Sequence, residues 1–467
     1  QEYYRRSHLR FMAECQRILR EKHPEATIFF NGGAEIYRPE YLDGQSHFEM
    51  EDLPTTWGGY NKMPPRASFM SRYPKEYLGM TGKFHTSWGE FGGFKHPIAL
   101  IYETGLSLAC GAAISVGDQM HPSGEMNEST YRLIGKAYEL VEKKEKWCEG
   151  AKNLADIAVL SCEAVLGGGR NGAGTDSNAG ASRMLLEGKH LYDFIDEETP
   201  FENYRLVILP DQILLCEKLA ARLNAYLEKG GRVLLTGCSG LNFDKTAFML
   251  DVGAEYDGAS EYTPDYMIPN FDAVNGRTEY VMYSAGQKLK NVTGTVLAYR
   301  QKPYFNRGPF HFSSHQHTPN DVSAPKTPAA VVKGNIAYIG WNIFEDYANK
   351  GELVDRELVL KAVDCLLGDE RTVRTTLPDR GVVTVTRQGS RHVVHLLFAH
   401  TTVRGKKTEV IEDAVPVLNV PVSLRLPEAP RKVYLAPEET PIPFEWDGTR
   451  VTFTTPQVLL HQMVVCE

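Results

Sequence analysis

The run His47-Phe48-Glu49-Met50-Glu51-Asp52 sets four ionisable groups among apolar residues. Side chains of an extended strand alternate between faces. His47, Glu49 and Glu51 therefore share one face, and Phe48 and Met50 take the other. Three ionisable groups on a buried face cost free energy unless they are paired or used. Paired carboxyl groups can do general acid–base work, because each raises the pKa of its neighbour and keeps one of them protonated. Glu51, the last of the three, is the first candidate for such an acid, followed by Glu49 and Glu90. The plainer alternative is an edge strand with a solvated polar face.

Two further stretches repeat the theme. Phe84-His85-Thr86-Ser87-Trp88-Gly89-Glu90-Phe91-Gly92-Gly93 places an aromatic, a His and a carboxylate in a Gly-flanked turn. Sugars offer apolar faces that stack on indole rings and hydroxyls that need polar partners, so His85, Trp88 and Glu90 suit a sugar site. Trp88 could equally be a plug, with Glu90 solvated. Gly117-Asp118-Gln119-Met120-His121-Pro122 offers Asp118 and His121, which could pin hydroxyls or cap a turn. Asn31, His47, Trp57 and Tyr60 complete the set of expected substrate contacts.

These residues need elements to hold them. Arg5–Lys22 has the periodicity of an amphipathic helix, stopped by Pro24. Ala26–Asn31, nearly all apolar, reads as a strand buried on both faces. Strands are expected at His47–Glu51, Thr81–Thr86 and Ala112–Val116, and helices at Pro97–Cys110 and Tyr131–Trp147. Each strand runs into polar or Gly-rich sequence, with Asn, Glu, His/Glu and Asp/His in turn at the four ends. Strand–loop–helix units with chemistry at the C-terminal strand ends point to a (β/α) barrel. A complete barrel takes about 250 residues. Residues 1–150 supply four strands, so the expectation is the C-terminal half of a (β/α)8 barrel.

Residues 154–370 read as a doubly wound, flavodoxin-like α/β unit. Its strands are expected at Asp156–Ser161, Tyr204–Pro210 and Arg232–Thr236. Its helices are expected at Ala181–Ile195, Cys216–Lys229 and Val354–Leu367, and Val331–Gly340 belongs to the same unit. The stretch Val252–Pro328 looks irregular. Residues 371–467 carry short alternating strands (Val382–Thr386, His392–Phe398, Ser423–Arg425, Lys432–Leu435, Val451–Thr454) punctuated by Pro and Gly, the pattern of a small all-β sandwich.

The middle unit holds rival signals. Thr236-Gly237-Cys238-Ser239-Gly240 follows a strand and resembles a nucleophile elbow with Cys in place of Ser. The first Gly of that motif is Thr236 here, and a buried or loop Cys is the plainer reading. His311, His315 and His317 lie in loop-like sequence and give no metal expectation. Gly167–Gly180 lacks the Lys of a phosphate loop and reads as mobile. In an oligomer its Arg170 could reach a neighbour's barrel.

With the motifs in place, a family can be named. HFEMEDLPTTWGGY (His47–Tyr60), GMTGKFHTSWGEFGG (Gly79–Gly93) and SVGDQMHPSG (Ser115–Gly124) resemble the C-terminal half of glycoside hydrolase barrels. The group is similar to the α-L-fucosidases of glycoside hydrolase family 151 and related hypothetical glycosyl hydrolases. The unit that follows resembles the β-galactosidase trimerisation domain of family 42. The resemblance implies a retaining exo-glycosidase, α-L-fucosidase-like or β-galactosidase-like, that needs no cofactor. It implies a nucleophilic Asp at the end of a fourth barrel strand, expected before Gln1. It also implies a homo-oligomer, dimer or trimer. Two alternatives stay open: a non-catalytic carbohydrate-binding or assembly subunit, and an amidotransferase-like enzyme using Cys238.

Composition narrows the field. Lys+Arg 51 against Asp+Glu 59 gives a net charge of −8 in 467 residues. With no dense basic stripe, there is no expectation of nucleic-acid binding. No apolar run reaches the roughly 18 residues of a membrane-spanning helix, and no signal peptide is visible at Gln1–Arg6. Eight cysteines without paired spacing point to a reducing compartment, and hence to the cytoplasm.

Overall fold

A computed structural model describes residues 2–467. It shows a mixed α/β chain with several separate sheets. The chain forms two compact units. One comprises Gln1–Leu154, Lys189–Asp193 and Thr372–Glu467; the other comprises Ala155–Gly188 and Phe194–Arg371.

The first unit begins with α1 (Glu2–Lys22), β1 (His47–Glu51), α2 (Met63–Met70), β2 (Glu76–Gly82), α3 (Pro97–Ala109), β3 (Ala113–Gly117) and α4 (Glu128–Glu142). The three strands form a parallel sheet in the order β1-β2-β3. α2 packs on β1 and β2, and α3 on β2 and β3. Phe48 and Met50 are fully buried while His47, Glu49 and Glu51 are half-buried, so β1 alternates as its sequence dictates. Pro97 at the first turn and the His96 ring, which accepts from Ile98 N at 3.3 Å, start α3. Asn127 caps α4 through Thr130 N at 3.1 Å.

Three expectations for this region fail for identifiable reasons. Ala26–Asn31 is not a strand. Its backbone is served by side chains instead: Ile28 N donates to Ser46 Oγ at 2.7 Å and Phe30 N to Gln45 Oε1 at 3.1 Å. Phe29 is 41% exposed, so the segment is not buried on both faces. The second strand lies earlier than expected, at Glu76–Gly82 rather than Thr81–Thr86. Gly79 reads as a breaker, yet α3 crosses so close that a Cβ there would sit 2.5 Å from Ser107 Oγ. The last helix starts at Glu128 and stops at Glu142, and Glu145–Trp147 is a separate 3-10 turn.

The same unit holds a two-sheet β structure. One sheet has the order Val373–Thr375, Val417–Arg425, Arg450–Val458, Phe444–Trp446. The other runs Thr440–Pro441, Val433–Ala436, Leu460–Cys466, Arg391–Phe398, Val382–Gln388 and β4 (Lys152–Asn153). Val385, Val394, Leu396, Val422, Leu424, Val451 and Val464 pack between them in one core. Trp147 is buried on the other side of the second sheet, against Tyr434 and Met463.

The second unit contains β5 (Ile157–Leu160), α5 (Cys162–Leu166), α6 (Thr175–Glu187), β6 (Tyr192–Ile195), β7 (Leu206–Leu209), α7 (Glu217–Glu228) and β8 (Arg232–Thr236). The strand order β6-β5-β7-β8-(Ile336–Ile339) is that of a doubly wound sheet. The helix expected over Ala181–Ile195 is α6, ended at Gly188, and the residues after it form β6. Val252–Pro328 is not irregular: it supplies the strands Glu255–Ala259, Asp265–Pro269, Tyr280–Met282, Gln287–Lys290 and Thr295–Gln301. Asp265–Pro269 is buried throughout although it opens with Asp and closes with Pro, which hides it from pattern reading. Val331–Gly340 falls across a hairpin of Thr327–Lys333 with Ile336–Ile339.

Candidate functional site

The C-terminal rim of the β1–β3 sheet gathers most of the expected residues. Glu51, Met80 and Ser115 are register partners and share one face. Two positions beyond Met80 and Ser115, on that same face, Gly82 pairs with Gly117. A Cβ on Gly82 would lie 2.8 Å from the Trp88 ring, and one on Gly117 would lie 2.3 Å from it. The two glycines therefore form a floor that Trp88 covers, on Glu51's side of the sheet. Phe84 meets Trp88 edge-on at 5.0 Å, and Trp57 meets it at 6.1 Å. The loops that carry these rings are tied together by Thr56 Oγ1, which donates to Thr86 O at 2.6 Å.

On the face of β1 that carries Glu51, His47 Nε2 lies 3.3 Å from Glu49 Oε1, and the His47 ring packs on Phe29. Arg66 of α2 donates to the Glu51 main-chain oxygen at 2.7 Å and to Ala34 O at 3.2 Å. Glu90 closes its own turn, accepting from Thr86 N and Thr86 Oγ1, each at 2.7 Å. The Thr86 N–H holds its carboxyl below the ordinary range, which makes Glu90 ill suited to carry a proton. His85 is half-buried beside it, and Asp118 is half-buried just past β3.

The other expected contacts are elsewhere. Asn31 is exposed in a turn with Gly32, not at a strand end. His121 is exposed in a turn with Ser123 (Nδ1 to Oγ, 2.9 Å) and touches Phe91. Tyr60 is buried and donates to Glu103 Oε1 at 3.1 Å. Cys238 is half-buried, and burial pushes its thiol up. His311 and His315 are exposed, and His317 packs on Tyr283. Among the described residues no cluster of His, Cys, Asp or Glu could hold a metal ion, and no helix is long and apolar enough to cross a membrane.

Sequence reading missed the buried group of Lys95, Glu103 and Thr81, and gave Asp52 no role. Lys95 lies 2.5 Å from Glu103 Oε2, and Thr81 Oγ1 donates to the same oxygen at 2.5 Å. This ion pair is almost fully buried. The signal was present, since Glu103 is the one acid in the otherwise apolar PIALIYETGLSLA. Asp52 is buried at the end of β1, and its Oδ1 has no hydrogen-bond partner. Burial pushes its carboxyl up to about 6 against the pull of Arg66 and Lys62.

Carboxylates and two indoles in edge-to-face contact thus share one end of a parallel sheet. The comparisons supply the class. A β-galactosidase trimerisation domain matches residues 183–259. The α-L-fucosidase isoenzyme 2 from Paenibacillus thiaminolyticus is 44% identical, over 99% of this chain and 71% of that one, with a TM-score of 0.95. The chain belongs to the glycoside hydrolase family of that fucosidase. The β-galactosidase from Bacillus circulans sp. alkalophilus (13% identity, 93% of this chain and 62% of that one, TM-score 0.63) shares the fold. So does that from Rahnella sp. R3 (15%, 92% and 61%, TM-score 0.59). The chain thus spans less than two thirds of each of these galactosidases. No curated protein matches it.

Proposed function

We propose that the chain is part of a retaining exo-glycosidase that cleaves a terminal α-L-fucose or a related galacto-configured sugar. The observation that carries this reading is the position of Trp88, laid over the Gly82–Gly117 floor on the same side as Glu51. A sugar stacked on that indole would lie on the face of the sheet that also carries Glu51. In this reading Glu51 is the general acid, His47 and Glu49 tune it, and His85, Trp57 and Asp118 cradle the hydroxyls. A carboxylate at another strand end completes the retaining pair. β1–β3 belong to the second half of a (β/α)8 barrel within residues 1–150. Residues 154–370 form a flavodoxin-like assembly domain, and 371–467 a C-terminal sandwich. The trimerisation match supports a homo-oligomer. The eight free cysteines support a reducing compartment, the cytoplasm.

The test is hydrolysis of aryl α-L-fucosides and β-galactosides. Glu51→Gln is expected to lower kcat by about 10²–10⁴-fold, the usual worth of a positioned general acid. Glu49→Gln should cost less, and Trp88→Ala should raise KM. Unchanged turnover in Glu51→Gln sinks the assignment of the acid. Sugar binding without any cleavage, even by the longer gene product, would favour the non-catalytic alternative.

A further inference from the structure

The C-terminal segment sends a hairpin to this rim. Thr402–Arg404 pairs with Thr408–Val410, with Val403 opposite Glu409. Glu409 N donates to Thr55 O at 2.9 Å. The Glu409 carboxylate lies so close to Gly59 that a Cβ there would be 2.2 Å from Oε2, and Gly59 also has a φ of +76°. A side chain at that position would displace the Glu409 carboxylate, and the positive φ favours glycine. Arg380 holds the same carboxylate at 3.5 Å. On the other flank Arg404 grips Glu412 through two bonds of 2.7 and 2.6 Å. The Arg404 hydrogen bond and charge keep the Glu412 carboxyl below its ordinary range.

The hairpin's neighbour is thus the loop that carries Trp57, which Thr55 and Gly59 bracket, and Thr56 ties that loop to Thr86 in the loop of Trp88. The hairpin tip is Arg404-Gly405-Lys406-Lys407. Arg404 is engaged by Glu412, while Lys406 and Lys407 are exposed. They lie two and three residues from the Glu409 anchor, within roughly 10 Å of it at about 3.3 Å per residue. Glu49 and Glu51 stand on the strand that leads into the Thr55 loop, in a chain whose net charge is −8. A tip with two exposed lysines hung from that loop favours negative charge on a ligand.

We propose that the 402–410 hairpin walls the subsite for the group attached to the cleaved sugar, and that Lys406 and Lys407 select an anionic one. The chemical class is a glycan bearing a sulfate or a carboxylate next to the terminal sugar. This inference rests on the glycosidase reading of the same rim.

The experiment is calorimetric binding to the full chain of three probes: L-fucose, a fucosyl disaccharide sulfated on its second sugar, and one carrying a uronic acid there. In Lys406→Gln/Lys407→Gln, affinity for an anionic probe is expected to fall about tenfold and that for L-fucose less than twofold. Near 1 M salt, where the screening length is about 3 Å, wild type and variant should converge. Loss with only one anionic probe identifies which group is selected. Equal losses for neutral and anionic probes, or no loss at all, overturn the proposal and leave the glycosidase reading standing. If wild type binds none of the three probes, the glycosidase reading falls first and takes the hairpin with it.

Discussion

The parallel strands of the two units bury themselves differently. In the second unit Ile157–Leu160, Leu206–Leu209 and Ile336–Ile339 are buried at every position. In the first, His47–Glu51 is buried only at alternate residues. Acids at the strand ends follow suit. Asp211, just past β7 with a φ of +48°, accepts from Ser177 Oγ (2.9 Å), Thr236 Oγ1 (2.6 Å), Glu345 N (2.8 Å) and Phe344 N (3.4 Å). Its carboxylate is saturated and stitches three elements together. At the end of β1, Asp52 keeps an unpartnered oxygen and Glu51 is half-buried. A buried acid with a full set of donors has been spent on structure. One with an unpartnered oxygen, as Asp52 has, keeps valence for a ligand.

The largest expected effect tests whether the back of the β1–β3 sheet is as structural as Asp211. Glu103→Ala leaves the buried Lys95 charge, Thr81 and Tyr60 without their acceptor. Removing one partner of a buried ion pair typically costs about 3–5 kcal/mol. Urea unfolding followed by tryptophan fluorescence should show that loss. The double variant Lys95→Met/Glu103→Leu should recover most of it, since replacing both partners by apolar groups is often near neutral. A single variant as stable as wild type would mean that the network does not hold the sheet.

How far the sequence anticipates this contrast depends on periodicity. β1 shows at its expected bounds because its alternation is clean, and Arg232–Thr236 because it is a short apolar run before a turn. Pattern reading fails where a residue answers to a distant neighbour. Gly79 tolerates its strand only because Ser107 is close, and Asp265 is buried beside Arg300 at 3.6 Å. The placement of Glu51 and Asp118 at strand ends was legible from local sequence, whereas Trp88 lies in the loop after β2 rather than at its end. The hairpin at 402–410 was not, since its tie to Thr55 spans more than 350 residues of chain.

A smaller effect concerns pH, and it probes the β structure of the first unit. Lys144 Nζ lies 3.2 Å from His461 Nδ1, His461 Nε2 lies 3.1 Å from His395 Nδ1, and His395 Nε2 lies 3.2 Å from Thr386 Oγ1. One set of tautomers satisfies this chain: each imidazole accepts at Nδ1 and donates at Nε2, and Lys144 donates at its head. Burial, then the Lys144 charge, pushes His395 down to about 3, and His461 shifts the same way. Unfolded histidine takes up a proton near 6.5. From pH 6.5 down to about 3 the unfolded chain therefore binds protons that the native state refuses, and stability falls with pH. Above 6.5 this contribution is fully present. Chemical denaturation read through Trp147, which packs on the same strands, should show the slope. His395→Gln should flatten it by up to about 1.4 kcal/mol per pH unit. A slope unchanged in His395→Gln would assign acid sensitivity to other groups.

The smallest expected effect is Cys238→Ser, and it decides whether the second unit carries chemistry of its own. The turn after β8 has the outline of a nucleophile elbow, yet its shape has another cause. Thr236 spends its hydroxyl on Asp211, and Cys238 N donates to the Asp211 main-chain oxygen at 2.6 Å. Gly237, with a φ of +58°, has no room for a side chain, because a Cβ would meet Asn342 Oδ1 at 2.3 Å. The turn is therefore tight because it packs around Asp211. A working thiol needs its pKa lowered, so that thiolate is present at neutral pH. Burial instead pushes Cys238 up, and the nearby Lys245 offsets this only in part. Cys238→Ser should leave glycoside hydrolysis unchanged and cost less than about 1 kcal/mol. Iodoacetamide at pH 7 should modify Cys238 no faster than an unstructured cysteine peptide. Rapid stoichiometric alkylation at this position, with loss of activity, would move the chemistry to the second unit and restore the amidotransferase-like alternative.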